Sequence, residues 1–375
     1  IRDLVRSRGL GDVYKRQVFA TGTGRGVHKL TESGYEHQYF ADLTPTVADA
    51  YIDIDSVGGH DWHTVLIGGL RAGGRGIFAM DVTDPDFIID AGTASLRESR
   101  LASKVMWEFT SADDPDLGYT FSQPTIAAMG NSSSIEWYVI LGNGYNSTNT
   151  TVGSNPYSSK LFILKLSGPG IDGTWNLGTD YFKFDTALPA GTSVAEADRN
   201  GMSSPAVADY DNNGVADRVY VGDLHGRLWV IDIEGGPSNW DFAFKQGQTP
   251  VPLFTATDGD VGAGNRQPIT SKPILAFHPT VKTVASGAGN NLPNLMVFFG
   301  TGQYLASGDL GNTNTQSFYG VWDKDTGNLT VNRSNSTNSD NKLVRQQMIE
   351  AASGFRINTG DDVDYAGGDF GWYID

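Results

Sequence analysis

Cysteine is absent from this 375-residue chain. No disulfide staples the fold, and no thiolate serves as nucleophile, metal ligand or redox centre. Positive charge is scarce: 27 Lys and Arg stand against 43 Asp and Glu, a formal net charge of −16. A chain of that sign without a basic face does not recruit a phosphate backbone or an anionic bilayer, which excludes nucleic acid as a partner. No apolar run approaches the roughly 20 residues of a membrane-spanning helix, so direct membrane insertion is not expected either. Helical periodicity is nearly missing, with 343–351 the one weak candidate. The six histidines stand in no Ser/His/Asp order that rises above chance, and no cysteine pair or evident quinone-stacking stretch is present. The chain is therefore not read as an enzyme.

What is present points to strands. There are 47 glycines, with 8 Trp, 15 Tyr and 18 Phe, a mixture that favours short strands and tight turns. The length allows two average domains or one large all-β domain. Residues 1–17, IRDLVRSRGLGDVYKRQ, carry five basic residues and no apolar core. They read as a non-native, adapter-like leader and not as a signal peptide. Residues 18–375 carry the fold, with the end stopping in what reads as a strand, so a domain truncated at both ends is expected.

One pattern recurs: a Ser/Thr-x-Pro or Thr-Pro strand opening, an apolar strand running into glycines, then an aromatic-apolar strand usually ending in Asp. Its copies open at Pro45, Pro124, Pro205 and Pro273. The glycine strands are VLIGG (65–69), VILGNG (139–144), VYVGD (219–223) and VFFGTG (297–302). The third strands are GIFAMD (76–81), LFILKL (161–166), RLWVID (227–232) and FYGVWD (318–323). Proline at a strand's first residue costs no ladder hydrogen bond. Units of three or four strands repeated in this way make a β-propeller; an array of β-sandwiches is the alternative. Residues 18–30 read as the second half of a preceding unit, and 343–375 as the start of another. Asn/Ser/Thr/Gly-rich stretches at 130–136, 146–159, 286–294 and 332–341 read as solvated loops.

Within the third repeat lies a cation-binding rhythm. Counting Asp209 as position one, side-chain oxygens fall at one, three, five and nine: Asp209, Asp211, Asn213 and Asp217. Gly214 takes position six, where the turn is sharp, and Val215 at seven offers a backbone carbonyl. Position twelve is Tyr220 instead of the bidentate Glu of an EF-hand, so Asp217 has to close the site. The β-branched flanks suit strands. A hard cation with flexible all-oxygen ligation is calcium before magnesium. The competing reading is an Asx-rich turn.

Three of these stretches resemble, in order, the C-terminal propeller of the PilY family of type IV pilus biogenesis and tip-associated proteins. They are YEHQYFADLTPTVADAY (35–51), LIGGLRAGGRGIFAMDVTDP (66–85) and SSPAVADYDNNGVADRVYVGDLHGRLWVID (203–232). The resemblance implies a modified, quinoprotein-like seven-bladed propeller, incomplete here, with one calcium held by Asp209, Asp211, Asn213, the Val215 backbone oxygen and Asp217. It further implies control of pilus extension and retraction, hence twitching motility and surface adhesion. Its partners would be pilin or minor pilins, with a host-surface ligand as a further candidate. Its place would be the bacterial surface or pilus tip, outer-membrane-associated or periplasmic. An integrin-like adhesion propeller and a quinone-dependent dehydrogenase are the alternatives. The first usually repeats its cation loop in several blades, whereas one repeat of four has it here.

Other constellations are weaker. His60 and His63 are three apart but would splay at a strand, and read as a surface turn. Gly22–Gly26 and Gly73–Gly76 mimic phosphate loops without a following helix, and read as hairpin turns. Asp258-Gly259-Asp260 and Asp361-Asp362-x-Asp364 hold too few ligands in rhythm for a second calcium.

Overall fold

The computed structural model describes residues 33–54, 59–86, 92–131, 134–147, 158–170, 172–187, 199–259, 264–280, 293–325, 327, 329–330, 342–350 and 354–375. The leader, the half-unit at 18–30 and the Gly22–Gly26 turn lie outside the described residues. The chain divides into two compact units, Ile1–Asp185 with Val194–Gly201, and Thr186–Ser193 with Met202–Asp375.

In the first unit, β1 (Thr46–Ile52), β2 (Asp61–Gly69), β3 (Gly76–Asp81) and β4 (Val105–Thr110) form an antiparallel meander in chain order. β5 (Thr125–Asn131), β6 (Ser134–Gly142), β7 (Lys160–Lys165) and β8 (Tyr181–Asp185) repeat it. In the second unit, β9 (Ala206–Ala208), β10 (Arg218–Gly222) and β11 (Arg227–Asp232) open the third sheet. Its far edge is shared by β12 (Asp241–Phe242) and β15 (Phe254–Thr255), with β19 (Leu329–Thr330) parallel to β15. A small hairpin, β13 (Lys245–Gln246) with β14 (Thr249–Pro250), separates those two. The fourth sheet runs β16 (Ile274–Phe277), β17 (Leu295–Gly300), β18 (Phe318–Asp323), β23 (Asp369–Ile374) and β20 (Lys342–Gln346). Each predicted repeat is thus one sheet, and an antiparallel four-stranded meander is the blade unit of a propeller.

Three expectations need correction. The described residues of the 343–351 candidate are not helix but strand on either side of Gln347, in β20 and in the β21 (Met348–Glu350)–β22 (Arg356–Asn358) hairpin, because Leu343 and Val344 join a ladder on β23. Residues 343–375 do not begin another unit; β20 and β23 complete the fourth sheet. A ten-residue helix, α1 (Ala94–Ser103), precedes β4. Its sequence, ASLRESRLAS, consists mainly of good helix formers, and the Thr93 hydroxyl caps it by accepting from the Leu96 amide at 3.3 Å. Without a repeating apolar stripe, its period was invisible in the sequence.

Each unit holds its own core. Ile67, Phe109, Val139, Phe162 and Leu164 centre the first, and Tyr220, Val230, Phe254, Val297, Phe299 and Tyr319 the second. Strands inside a sheet, such as β7 and β10, are buried on both faces and read as continuous apolar runs. The edge strand β1 alternates instead, burying Ala50 and Ile52 while exposing Asp49 and Tyr51. Of the three Asp residues that end third strands, two fold the chain back, while Asp232 pairs with Arg218. Asp81 accepts from the amide and hydroxyl of Thr83, and Asp323 from the Asp325 amide at 2.9 Å. The Gly73–Gly76 stretch is the β2–β3 turn as expected. Gly73 is required there because a Cβ would meet the Phe40 carbonyl oxygen at 1.8 Å.

Candidate metal centre

The loop joining β9 to β10 is the third sheet's first connection. Asp209 directly follows β9 and Asp217 directly precedes β10, so the paired strands pin both ends. The Asp217 amide donates to the Ala208 carbonyl at 2.8 Å, which closes the base of the loop. Asn212 (φ 58°) and Gly214 (φ 87°) adopt left-handed backbone, the conformation that lets the chain reverse within five residues. This is the sharp turn expected at position six.

The turn folds its own amides onto its acids. The Asn213 amide donates to Asp209 Oδ1 and Asp211 Oδ1 at 3.1 and 3.0 Å, and the Gly214 amide to Asp209 Oδ2 at 2.8 Å. Asn213 Nδ2 donates to Asp211 Oδ2 at 2.9 Å, and Asn213 Oδ1 accepts from the Val215 amide at 2.7 Å. The Tyr210 amide reaches Asp217 Oδ2 at 2.8 Å. As a result, carboxylate oxygens of Asp209, Asp211 and Asp217 lie within 4.8 Å of one another. Asp209 and Asp211 face solvent to differing degrees, while Asp217 is 4% exposed at the floor.

Such a cluster is electrostatically uncomfortable without a counter-charge. Burial pushes the Asp217 carboxyl up to about 6; the Tyr210 amide opposes this, and the charges of Asp211, Asp209 and Glu234 add to it. The donor set is hard, anionic and all-oxygen, and it converges on one point from a pinned loop. It fits a divalent cation with flexible oxygen coordination. Of the five positions predicted from sequence, the three aspartates converge. Asn213 spends its side chain bridging Asp211 and Val215, and Val215 sits at the loop's exit.

Tyr220, at the position where an EF-hand has its Glu, is fully buried and donates its hydroxyl to Asp323 Oδ2 at 2.7 Å. Beside it is a network that the sequence reading missed. Arg218, adjacent to Asp217, is 5% exposed. Its Nε contacts Asp232, Nη1 donates to Asp323 Oδ2 at 2.9 Å, and Nη2 to Asp325 Oδ1 at 2.8 Å. The available signal was an arginine inside an otherwise apolar strand, in a chain whose strands end in Asp. The other candidates do turn work: Asp258 holds Asn265, Asp361 holds Thr359, and Asp364 holds Gly367. Asp260 lies outside the described residues. His60 packs on Tyr51 while His63 lies 3.7 Å from Asp81, so the two imidazoles do splay, with His63 inside β2.

Comparison with known proteins identifies the fold. A family model described as the PilY1 beta-propeller domain matches residues 20–359. The type IV pilus biogenesis factor PilY1 of Pseudomonas aeruginosa is 34% identical over 93% of this chain. A PilY1 homolog of Xylella fastidiosa is 32% identical over 92% of it. The chain spans 28% and 20% of the lengths of these two relatives. The crystal structure of the P. aeruginosa PilY1 C-terminal domain superposes with a TM-score of 0.63 at 32% identity, covering 89% of this chain and 62% of that one. The four meanders are thus blades of a β-propeller.

Proposed function

The chain belongs to the PilY1 β-propeller family, and from that premise we propose that it is the calcium-binding propeller of a type IV pilus biogenesis factor. It acts by binding and not by catalysis. The observation that carries the calcium part is the convergence of three carboxylates within 4.8 Å on a loop pinned between paired strands. Asp209, Asp211 and Asp217 would hold the ion, with Asn213 and the Val215 carbonyl completing its shell. The ion would supply the positive charge that the cluster lacks. Lacking a twelfth-position Glu, the site should bind on the order of 10⁻⁶ M or weaker.

The loop is the part that responds to the ion. Its hydrogen bonds are local and its tip is exposed, whereas β10 is buried on both faces. Occupancy should therefore stiffen the loop while the blades persist, making it a switch on a binding face. Through that face the protein would bias pilus extension against retraction, and with it twitching motility and adhesion, by contact with pilin or minor pilins at the bacterial surface. The pilus names of the relatives favour this over the integrin-like and quinoprotein readings.

Titration calorimetry of the whole chain tests the site: heat on calcium addition is expected, and none after Asp217→Ala. In a piliated host, Asp217→Ala and Asp217→Lys placed in the full-length protein should shift surface piliation in opposite directions. Wild-type piliation from both, with calcium binding lost, refutes the regulatory role.

A further inference from the structure

Within the first unit a cleft of about 210 Å³ opens between the end of β1 and the start of β6. It is far below the roughly 300–1,000 Å³ of drug-sized sites, and suits one small head group. Its wall is aromatic. Tyr51 and Trp62 are direct partners across the β1–β2 ladder and point to solvent, because Ala50 and Ile52 take the core face. They remain 48% and 59% exposed, with ring centroids 5.7 Å apart. His60 stands 5.6 Å from Tyr51, and Trp137 from β6 meets Trp62 edge-on at 6.5 Å. Isolated exposed aromatics are ordinary; three rings lining one concavity, Tyr51, His60 and Trp137, with a fourth packed behind them, are not.

The rest of the lining is acidic. Asp53, Glu136 and Asp180 face the cleft with one cation, Lys165, whose Nζ lies 3.7 Å from Glu136. The lining thus carries three acidic side chains to one basic one beside π faces. The floor is rigid. The Leu166 amide donates to the Trp137 carbonyl at 2.8 Å, and Trp107 Nε1 donates to the Leu166 carbonyl at 2.7 Å. Gly168, at φ 86°, presses so closely on Trp107 that a Cβ would sit 2.5 Å from its ring. The walls therefore need little reorganisation on binding.

We propose that this cleft binds a small, weakly hydrated organic cation, a quaternary ammonium or a guanidinium group, against the rings of Tyr51 and Trp137, with Trp62 packed on both at its border. Aromatic faces attract such cations through the ring quadrupole, and the flanking carboxylates add field without competing for the same space. The inference is independent of calcium, since no residue of the 209–217 loop takes part.

Saturation-transfer NMR on the whole chain tests it. The probes are choline, acetyl-arginine amide, the neutral choline isostere 3,3-dimethylbutanol, and methyl glucoside. Signal from at least one cation is expected, with affinity on the order of 1 mM and none from the two neutral probes. Which cation binds distinguishes a quaternary head group from an arginine side chain. Trp62→Ala and Tyr51→Ala, both at exposed positions, should each weaken binding roughly three- to tenfold. Asp217→Ala should leave it unchanged. Equal binding of the isostere, preferential binding of the glucoside, or no cation signal with a folded protein each overturns the proposal.

Discussion

Replacing Asp217 by Asn should leave the metal-free protein as stable as before, or more so, while abolishing its response to calcium. The reasoning runs from the geometry of the cluster. Carboxylates at most 4.8 Å apart repel by about 0.9 kcal/mol in bulk water and about 3.5 kcal/mol at an effective dielectric of 20. Asp209 and Asp211 are partly solvated, which places each pair near the lower figure, so removing the Asp217 charge relieves about 2 kcal/mol in all. Asn keeps an acceptor for the Tyr210 amide but loses the charge assistance of that bond, a cost of about 1 kcal/mol. The net gain of about 1 kcal/mol corresponds to a rise of roughly 2–4 °C in the Tm of metal-free protein. Wild type should behave oppositely. With a Kd on the order of 10⁻⁶ M, 1 mM calcium adds about 4 kcal/mol, or roughly 10 °C. Scanning calorimetry of both proteins, with chelator and with calcium, reads all four values. A metal-free Asp217→Asn protein melting several degrees below wild type would show that the Tyr210 bond outweighs repulsion. A surviving calcium shift would remove Asp217 from the ligand set.

Arg218→Met strands the fully buried carboxylate of Asp323 and should cost about 3–5 kcal/mol. Urea denaturation checks this, and a loss below about 1 kcal/mol contradicts the network. Asp81→Asn should destabilise at pH 7 by about 1.5–3 kcal/mol, the range for charged hydrogen bonds. Burial pushes the Asp81 carboxyl up, but the Thr83 hydroxyl and amide, then the Lys104 and His63 charges, outweigh it and hold the group below its ordinary value. A lowered folded value gives stability that is present above the unfolded value of about 3.9 and lost as pH falls through the folded one. The gap between wild type and Asp81→Asn should therefore close below about pH 4, and a gap that persists there rules out the charge as its origin.

The sheets were legible in the sequence because each blade's first three strands carry opposed signals: proline, then apolar run into glycine, then aromatic run into Asp. The fourth strands were not. VMWEFT follows directly on helix α1, YFKFD follows a long Gly-rich connection, and β23 is separated from β18 by the residues that make β20 and the β21–β22 hairpin. Their pairing is decided by tertiary packing against β3, β7 and β18. The cation loop was legible because its ligands are local and follow a one-residue-in-two rhythm. The Arg218 network was not, since its acids lie 14, 105 and 107 residues away. Nothing in a linear reading pairs an arginine in one blade with aspartates in another repeat.

That separation has a consequence in time. The loop's internal side-chain bonds span two to seven residues, so an emerging chain can close the loop as soon as β9 and β10 exist. Its foundation cannot be laid so early. Arg218 has only the more exposed Asp232 across the β10–β11 hairpin, and Tyr220 an unmet hydroxyl, until Asp323 arrives 105 and 103 residues later. Closures of that span are slow in folding because loop entropy is lost before the contact is gained. The second unit therefore assembles around a carboxylate contributed late by its last sheet, and a nascent chain passes through a stage with the loop formed and its Asp323 anchor missing.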